Sequence, residues 1–157
     1  IQNTMATFAG QNMGARQPER VSKGLGQGVL VSLLMTAALC LCQLLGMELI
    51  IRAFKLDAAA AAICRQHLFA SVLSEPIFAI YFPANGMFQG VGEGFHATFY
   101  ALMALGLRVV FAYSLYRTAF FGYTAIWWSQ AMAWTLTLVT CYAHFFHGKW
   151  KEKSLVS

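Results

Sequence analysis

Charge is what this 157-residue chain has least of: Asp, Glu, Lys and Arg together make up 11%, against about 25% in soluble domains. Hydrophobic residues rise to 59%, and a folded sphere of this size cannot hide that much apolar surface from water. A soluble monomer and an intrinsically disordered chain are both excluded. The net charge of +5 comes from too few charges in too apolar a chain for a nucleic-acid binder. Also missing are a glycine-rich phosphate loop followed by Lys, a metal-spaced Cys/His set and an acid pair within one apolar stretch, so no soluble-enzyme constellation is present. Of the four cysteines, Cys40 and Cys42 stand at i, i+2 and face different sides of a helix. All four lie in apolar stretches and read as small hydrophobes packed in helices, with no disulfide framework. The chain opens on Ile1 with no initiator Met and no basic-then-apolar leader. Residues 1–15 read as the end of a helix already under way, so a piece of a longer membrane protein is expected.

What is present is four apolar stretches long enough to cross a hydrocarbon core, which takes about 20 helical residues. They cover about 25–51, 62–90, 98–116 and 124–146, separated by short polar punctuations. Lipid offers the backbone no hydrogen-bond partner, so the stretches must be helices. Strands would be about half as long and would alternate in polarity. The fold class expected is all-α, a polytopic transmembrane helix bundle of about four spans plus the end of a preceding helix, in one unit over 1–157 with a basic tail at 147–157. Lys and Arg set its orientation. Arg16, Arg20 and Lys23 precede the first span and Lys149, Lys151 and Lys153 follow the fourth, against Arg52, Lys55 and Arg117 on the other side. Six against three puts both ends of the chain in the cytoplasm. Trp150, between Lys149 and Lys151, reads as an interfacial anchor, and Trp127 and Trp128 play that part at the far end.

Charges at membrane depth are the informative residues, because an ionisable group near the bilayer centre costs at least about 2.5–3.5 kcal/mol. Glu75 sits near the middle of the second span beside Pro76, which removes the hydrogen bond to the Val72 carbonyl; Pro83 does the same to Ala79. An acid beside freed carbonyls can hold Na⁺ or exchange H⁺; it can equally be a structural acid paired with another helix, or lie at the interface. Arg108, midway along the third span, reads as a fixed partner for carbonyls or for an acid in the bundle. Glu48 and Arg52, at i, i+4, suit a surface ion pair. Phe82, Asn85 and Gln89 form a polar and aromatic stripe on the second span, fitting a cavity for amphipathic cations or a helix–helix seam. His144 and His147 share a helix face at i, i+3, but no third ligand stands near them, so no metal site is read.

Three ordered blocks resemble the multidrug and toxic compound extrusion (MATE) transporters. Residues 6–16 with Pro18-Glu19-Arg20 are similar to the second-helix-to-loop segment of a MATE lobe. Gly86-Met87-Phe88-Gln89-Gly90-Val91-Gly92-Glu93 resembles the family's Gly-x-Leu-(Arg/Gln)-Gly-x-Gly-Asp turn after the fourth helix, with Glu93-Gly94 standing where Asp-Thr is usual. Residues 122–128 resemble its Gly-x-x-Gly-(Val/Ile)-Trp opening of the sixth helix, and Arg108 falls where the family has an Arg in the fifth. The resemblance implies part of the C-terminal lobe of a two-lobe, twelve-helix protein, with the N-terminal lobe of the same protein and the lipid bilayer as its partners. It further implies export of small organic, often cationic, compounds by alternating access in exchange for Na⁺ or H⁺, with no other cofactor and no enzymatic activity. The cell (inner) membrane is the expected location, and Glu75 the candidate for the coupling ion. A lipid-linked or polysaccharide flippase of the same superfamily, and a non-transporting membrane subunit, are the alternatives.

Overall fold

A computed structural model describes residues 1–118 and 121–152; of the basic tail expected at 147–157, residues 153–157, Lys153 among them, lie outside the described residues. Five helices follow one another with no strand among the described residues: α1 (Gln2–Gly14), α2 (Pro18–Ala53), α3 (Ala58–Gly90), α4 (Gly94–Tyr116) and α5 (Ala125–His147). The protein is an all-α helical membrane bundle. At 1.5 Å per residue α2 and α3 are each about 50 Å long, more than a core of about 30 Å needs. Both therefore reach past the hydrocarbon or tilt within it.

Local chemistry sets the helix ends. Pro18 starts α2 at a position where its missing N–H costs nothing, and Glu19 lies in the first turn. Asp57 caps α3, its Oδ1 accepting the Ala60 N–H at 2.7 Å, and the run of alanines behind it favours the helix. The end of α3 closes on Gly92 at φ +80°, where the Glu93 N–H donates back to the Phe88 carbonyl at 2.8 Å. Gly148, at φ +79°, ends α5 in the same left-handed way. Helix α3 runs through Pro76 and Pro83 without a break.

In the bundle α3 touches all four other helices. Its seam with α1 is close: a Cβ at Gly86 would run into the Gln2 carbonyl, and one at Gly90 into the Ala6 carbonyl. Small residues four apart let two backbones meet, as transmembrane helices commonly do. Around this seam lies the core of Met5, Ala9, Met13, Tyr81, Met87, Phe88 and Tyr100. Outside it Leu34, Leu45, Leu49, Leu102 and Val109 stand exposed, the outward apolar surface of a protein solvated by lipid.

Several expectations need correcting. By length and hydropathy together, three helices among the described residues qualify as spans: α2, α3 and α4. The fourth expected stretch does fold as a 23-residue helix, α5, but its Trp, Tyr, Ser, Thr and His residues make it less apolar. Trp150 is not an interfacial anchor. It is buried, stacked on Phe145 at 5.5 Å, and its indole N–H donates to the Phe145 carbonyl at 3.0 Å, satisfying the end of α5. Glu48 passes over Arg52 and makes a two-pronged pair with Arg65 of α3, at 2.8 and 3.1 Å. A forked guanidinium across the helix seam matches a carboxylate better than a neighbour one turn along.

Candidate functional site

Glu75 lies seventeen residues after Ala58 and fifteen before Gly90, so helix geometry places it at the middle of α3. It is half-buried against α2. The Gln43 amide donates to Oε1 at 2.6 Å and the Cys40 thiol to Oε2 at 3.1 Å. Both come from one face of α2, three residues apart. The same thiol lies 3.9 Å from the Val72 carbonyl, which Pro76 leaves without its helical donor. Two neutral donors thus hold the carboxylate, and among the described residues no cation lies within ion-pair distance of it. Beside it an open groove of about 610 Å³ runs between α2 and α3, lined by Leu33, Ala37, Cys40, Leu44, Val72 and Pro76.

The expected stripe on α3 does not survive as one surface. Asn85 is buried and its amide is fully engaged: Oδ1 accepts from Gln2 and from Gln89, each at 2.8 Å, while Nδ2 donates to the Tyr81 hydroxyl and the Ala97 carbonyl, each at 2.8 Å. Four bonds leave Asn85 nothing to offer a ligand, and it ties α1, α3 and α4 together instead. Gln89 is exposed beside it. Phe82 faces outward, at 5.9 Å from Phe78 and 6.0 Å from Trp134 between ring centroids. Asn85 thus lies in the seam between α1, α3 and α4, while Phe82 and Gln89 are exposed. Arg108 is exposed on α4, and no hydrogen bond or ion pair joins it to another described residue, contrary to the fixed partner expected for it.

A family model with the description MatE matches residues 1–114, from α1 through most of α4. The chain belongs to the MatE family. Its members are membrane transporters rather than enzymes, and this MatE chain is accordingly an integral membrane protein. No curated protein and no solved structure matches it. Within the MatE block quoted from the sequence, the structure gives the glycines distinct duties. Gly86 and Gly90 admit α1 against α3, and Gly92 supplies the left-handed turn.

Sequence reasoning missed both partners of Glu75. Gln43 carried a signal, being the one amide in the apolar run 39–46 of α2. Cys40 carried little, since a thiol in a membrane helix reads as a small hydrophobe. The partners of His144 are a second omission: its neighbours are Glu93 at 3.3 Å and His96, whose ring lies 4.6 Å away, rather than His147 one turn along α5.

Proposed function

We propose that this MatE chain forms part of the C-terminal lobe of a two-lobe transporter that exports organic, often cationic, compounds in exchange for Na⁺ or H⁺, with Glu75 as the coupling site. One observation carries the reading. Glu75 is a mid-helix carboxylate held by neutral donors only, beside an open groove. At membrane depth an uncompensated carboxylate is costly, so it takes up a proton or a small cation. Cation binding at Glu75 favours one packing of α2 against α3, and cargo favours the other. Exchange requires such differential affinity, because a ligand that binds both states equally shifts nothing. Gln43 and Cys40 orient the carboxylate, and the Val72 carbonyl is the nearest further oxygen for a cation. The apolar groove suits the hydrocarbon part of an amphipathic compound.

The test is Glu75→Gln in the complete protein, reconstituted in vesicles with an imposed H⁺ or Na⁺ gradient. The variant keeps the shape of the carboxylate as a neutral amide and should insert normally, yet gradient-driven export should vanish. Export at the wild-type rate rejects the assignment. A flippase for phosphate-bearing lipids needs a basic cavity. Arg108 is the deep basic residue offered by the described spans, and it stands on α4, outside the α2–α3 groove.

A further inference from the structure

At the end of the bundle where α3 turns into α4, two stretches far apart in sequence converge. Glu93 comes from the α3–α4 turn, His96 from the first turn of α4 and His144 from the last turn of α5. Their donor atoms all lie within 4.8 Å of one another. Glu93 Oε2 is 3.3 Å from His144 Nε2 and 3.7 Å from His96 Nδ1. Four-coordinate zinc with ligand bonds of about 2.0–2.2 Å has tetrahedral edges of about 3.3 Å. Two edges of the triangle are therefore close to the size of such a site. His96 is the exposed member, and rotation about its side-chain torsions supplies the remaining closure.

The surroundings hold the ligands as a metal site does. The Tyr100 hydroxyl meets His144 Nδ1 at 2.6 Å, leaving Nε2 directed at Glu93. A ligating histidine almost always has such a partner on its other nitrogen, fixing both ring and tautomer. Phe88 stacks on the same ring at 4.8 Å and 11°, and itself packs on Tyr100 at 5.9 Å. Burial is graded, with side-chain exposures of 7% for Glu93, 18% for His144 and 45% for His96. The carboxylate is thus at the floor and the second imidazole at the mouth, where water reaches a fourth position.

We propose that Glu93, His96 and His144 form a binding site for a divalent transition-metal ion of the zinc class, with water as the fourth ligand. Two imidazoles and one carboxylate are borderline-soft donors suited to Zn²⁺, whereas Na⁺, Mg²⁺ and Ca²⁺ favour all-oxygen sets. The site is therefore chemically distinct from a coupling site at Glu75, and it stands whether or not the chain transports. With the tautomer that metal binding requires, Nδ1–H of His144 donates to the Tyr100 oxygen and Nε2, on the Glu93 side, carries the lone pair that ligates. A bound ion would clasp the α3–α4 turn to the end of α5.

The experiment uses the full chain in detergent, carrying an affinity tag without histidine. Co²⁺ is titrated while its visible absorption is followed, and Zn²⁺ is used to displace it. One ion per chain is expected, with intense bands of a four-coordinate centre. His96→Ala and Glu93→Gln should each weaken uptake at least tenfold, and Tyr100→Phe should weaken it about 10–100-fold. His147→Ala should leave it unchanged. Helical circular dichroism of each variant shows that the fold is retained, and the exposed position of His96 makes its variant the safest. Absence of saturable uptake overturns the proposal. So does uptake that is undiminished in both His96→Ala and Glu93→Gln, or uptake lost in His147→Ala instead.

Discussion

Glu75 and Asn85 are both polar residues on α3, ten positions apart, and the structure uses them in opposite ways. Asn85 has a partner for every donor and acceptor its amide uses in the core, whereas the two side chains that hold the Glu75 carboxyl are both neutral. Replacing Gln43 by a cation tests the second half of that contrast. In Gln43→Lys an ammonium would stand where the amide now donates at 2.6 Å, holding the carboxylate ionised and displacing the exchangeable cation. Vesicle transport should fall as far as in Glu75→Gln, while Gln43→Leu should retain transport with an altered dependence on cation concentration. Retention of full transport in Gln43→Lys would mean that the charge of Glu75 is structural. For Asn85 the expected readout is stability. Asn85→Leu strands buried partners on α1, α3 and α4 and should lower unfolding free energy by about 1–3 kcal/mol in a detergent titration. Gln89→Leu, at an exposed position with one bond, should cost less than about 1 kcal/mol.

The α1–α3 crossing belongs to the scale of helices, and two alanine substitutions separate packing from propensity there. A methyl at Gly90 meets the Ala6 carbonyl and lies 2.9 Å from the Ala9 Cβ, so α1 must move away; Gly26 has nothing within 4 Å of the same added atom. Gly90→Ala should therefore destabilise by about 1–3 kcal/mol as overpacking does, and Gly26→Ala should stabilise by up to about 1 kcal/mol through helix propensity. Equal effects in the same unfolding titration would remove the close crossing. Much at this scale was legible in the residues themselves. Apolar run length placed the helix ends within about four positions, except that α2 begins at Pro18, well before the expected 25, because in lipid that length has one solution. What was not legible is partner choice. Glu48 has Arg52 on its own helix and chooses Arg65 on the next; Trp150 has the look of an interfacial ring and instead closes the end of α5. Periodicity describes one helix at a time, and these contacts exist only once two helices are set side by side. The same holds for Glu93, His96 and His144, whose spacing in sequence carries no ligand pattern.

At the scale of the whole molecule, direction of travel alternates helix by helix, and two contacts between distant residues fix which ends coincide. Lys151 meets Glu19 at 3.1 Å, bringing the end of the described chain to the start of α2, and the Tyr123 hydroxyl donates to Gln66 at 2.9 Å, bringing the α4–α5 connection to the start of α3. Arg16, Glu93 and Lys149 thus share one end of the bundle, and Lys55 and Arg117 share the other. Ile1 itself is not at the first end: Gln2 bonds Asn85 inside the bundle, so the α1–α2 turn, not the first residue, occupies the face expected to be cytoplasmic. The excess of Lys and Arg on the Arg16 face predicts that this end lies inward. In a background whose four native cysteines are replaced by serine or alanine, a charged maleimide added to intact cells should label Lys55→Cys and spare Lys149→Cys. Both should be labelled once the membrane is permeabilised. Reversed labelling would invert the bundle while leaving its fold intact. Labelling of both from outside would break the alternation itself, since the Lys151–Glu19 and Tyr123–Gln66 contacts place Lys149 and Lys55 at opposite ends of the bundle.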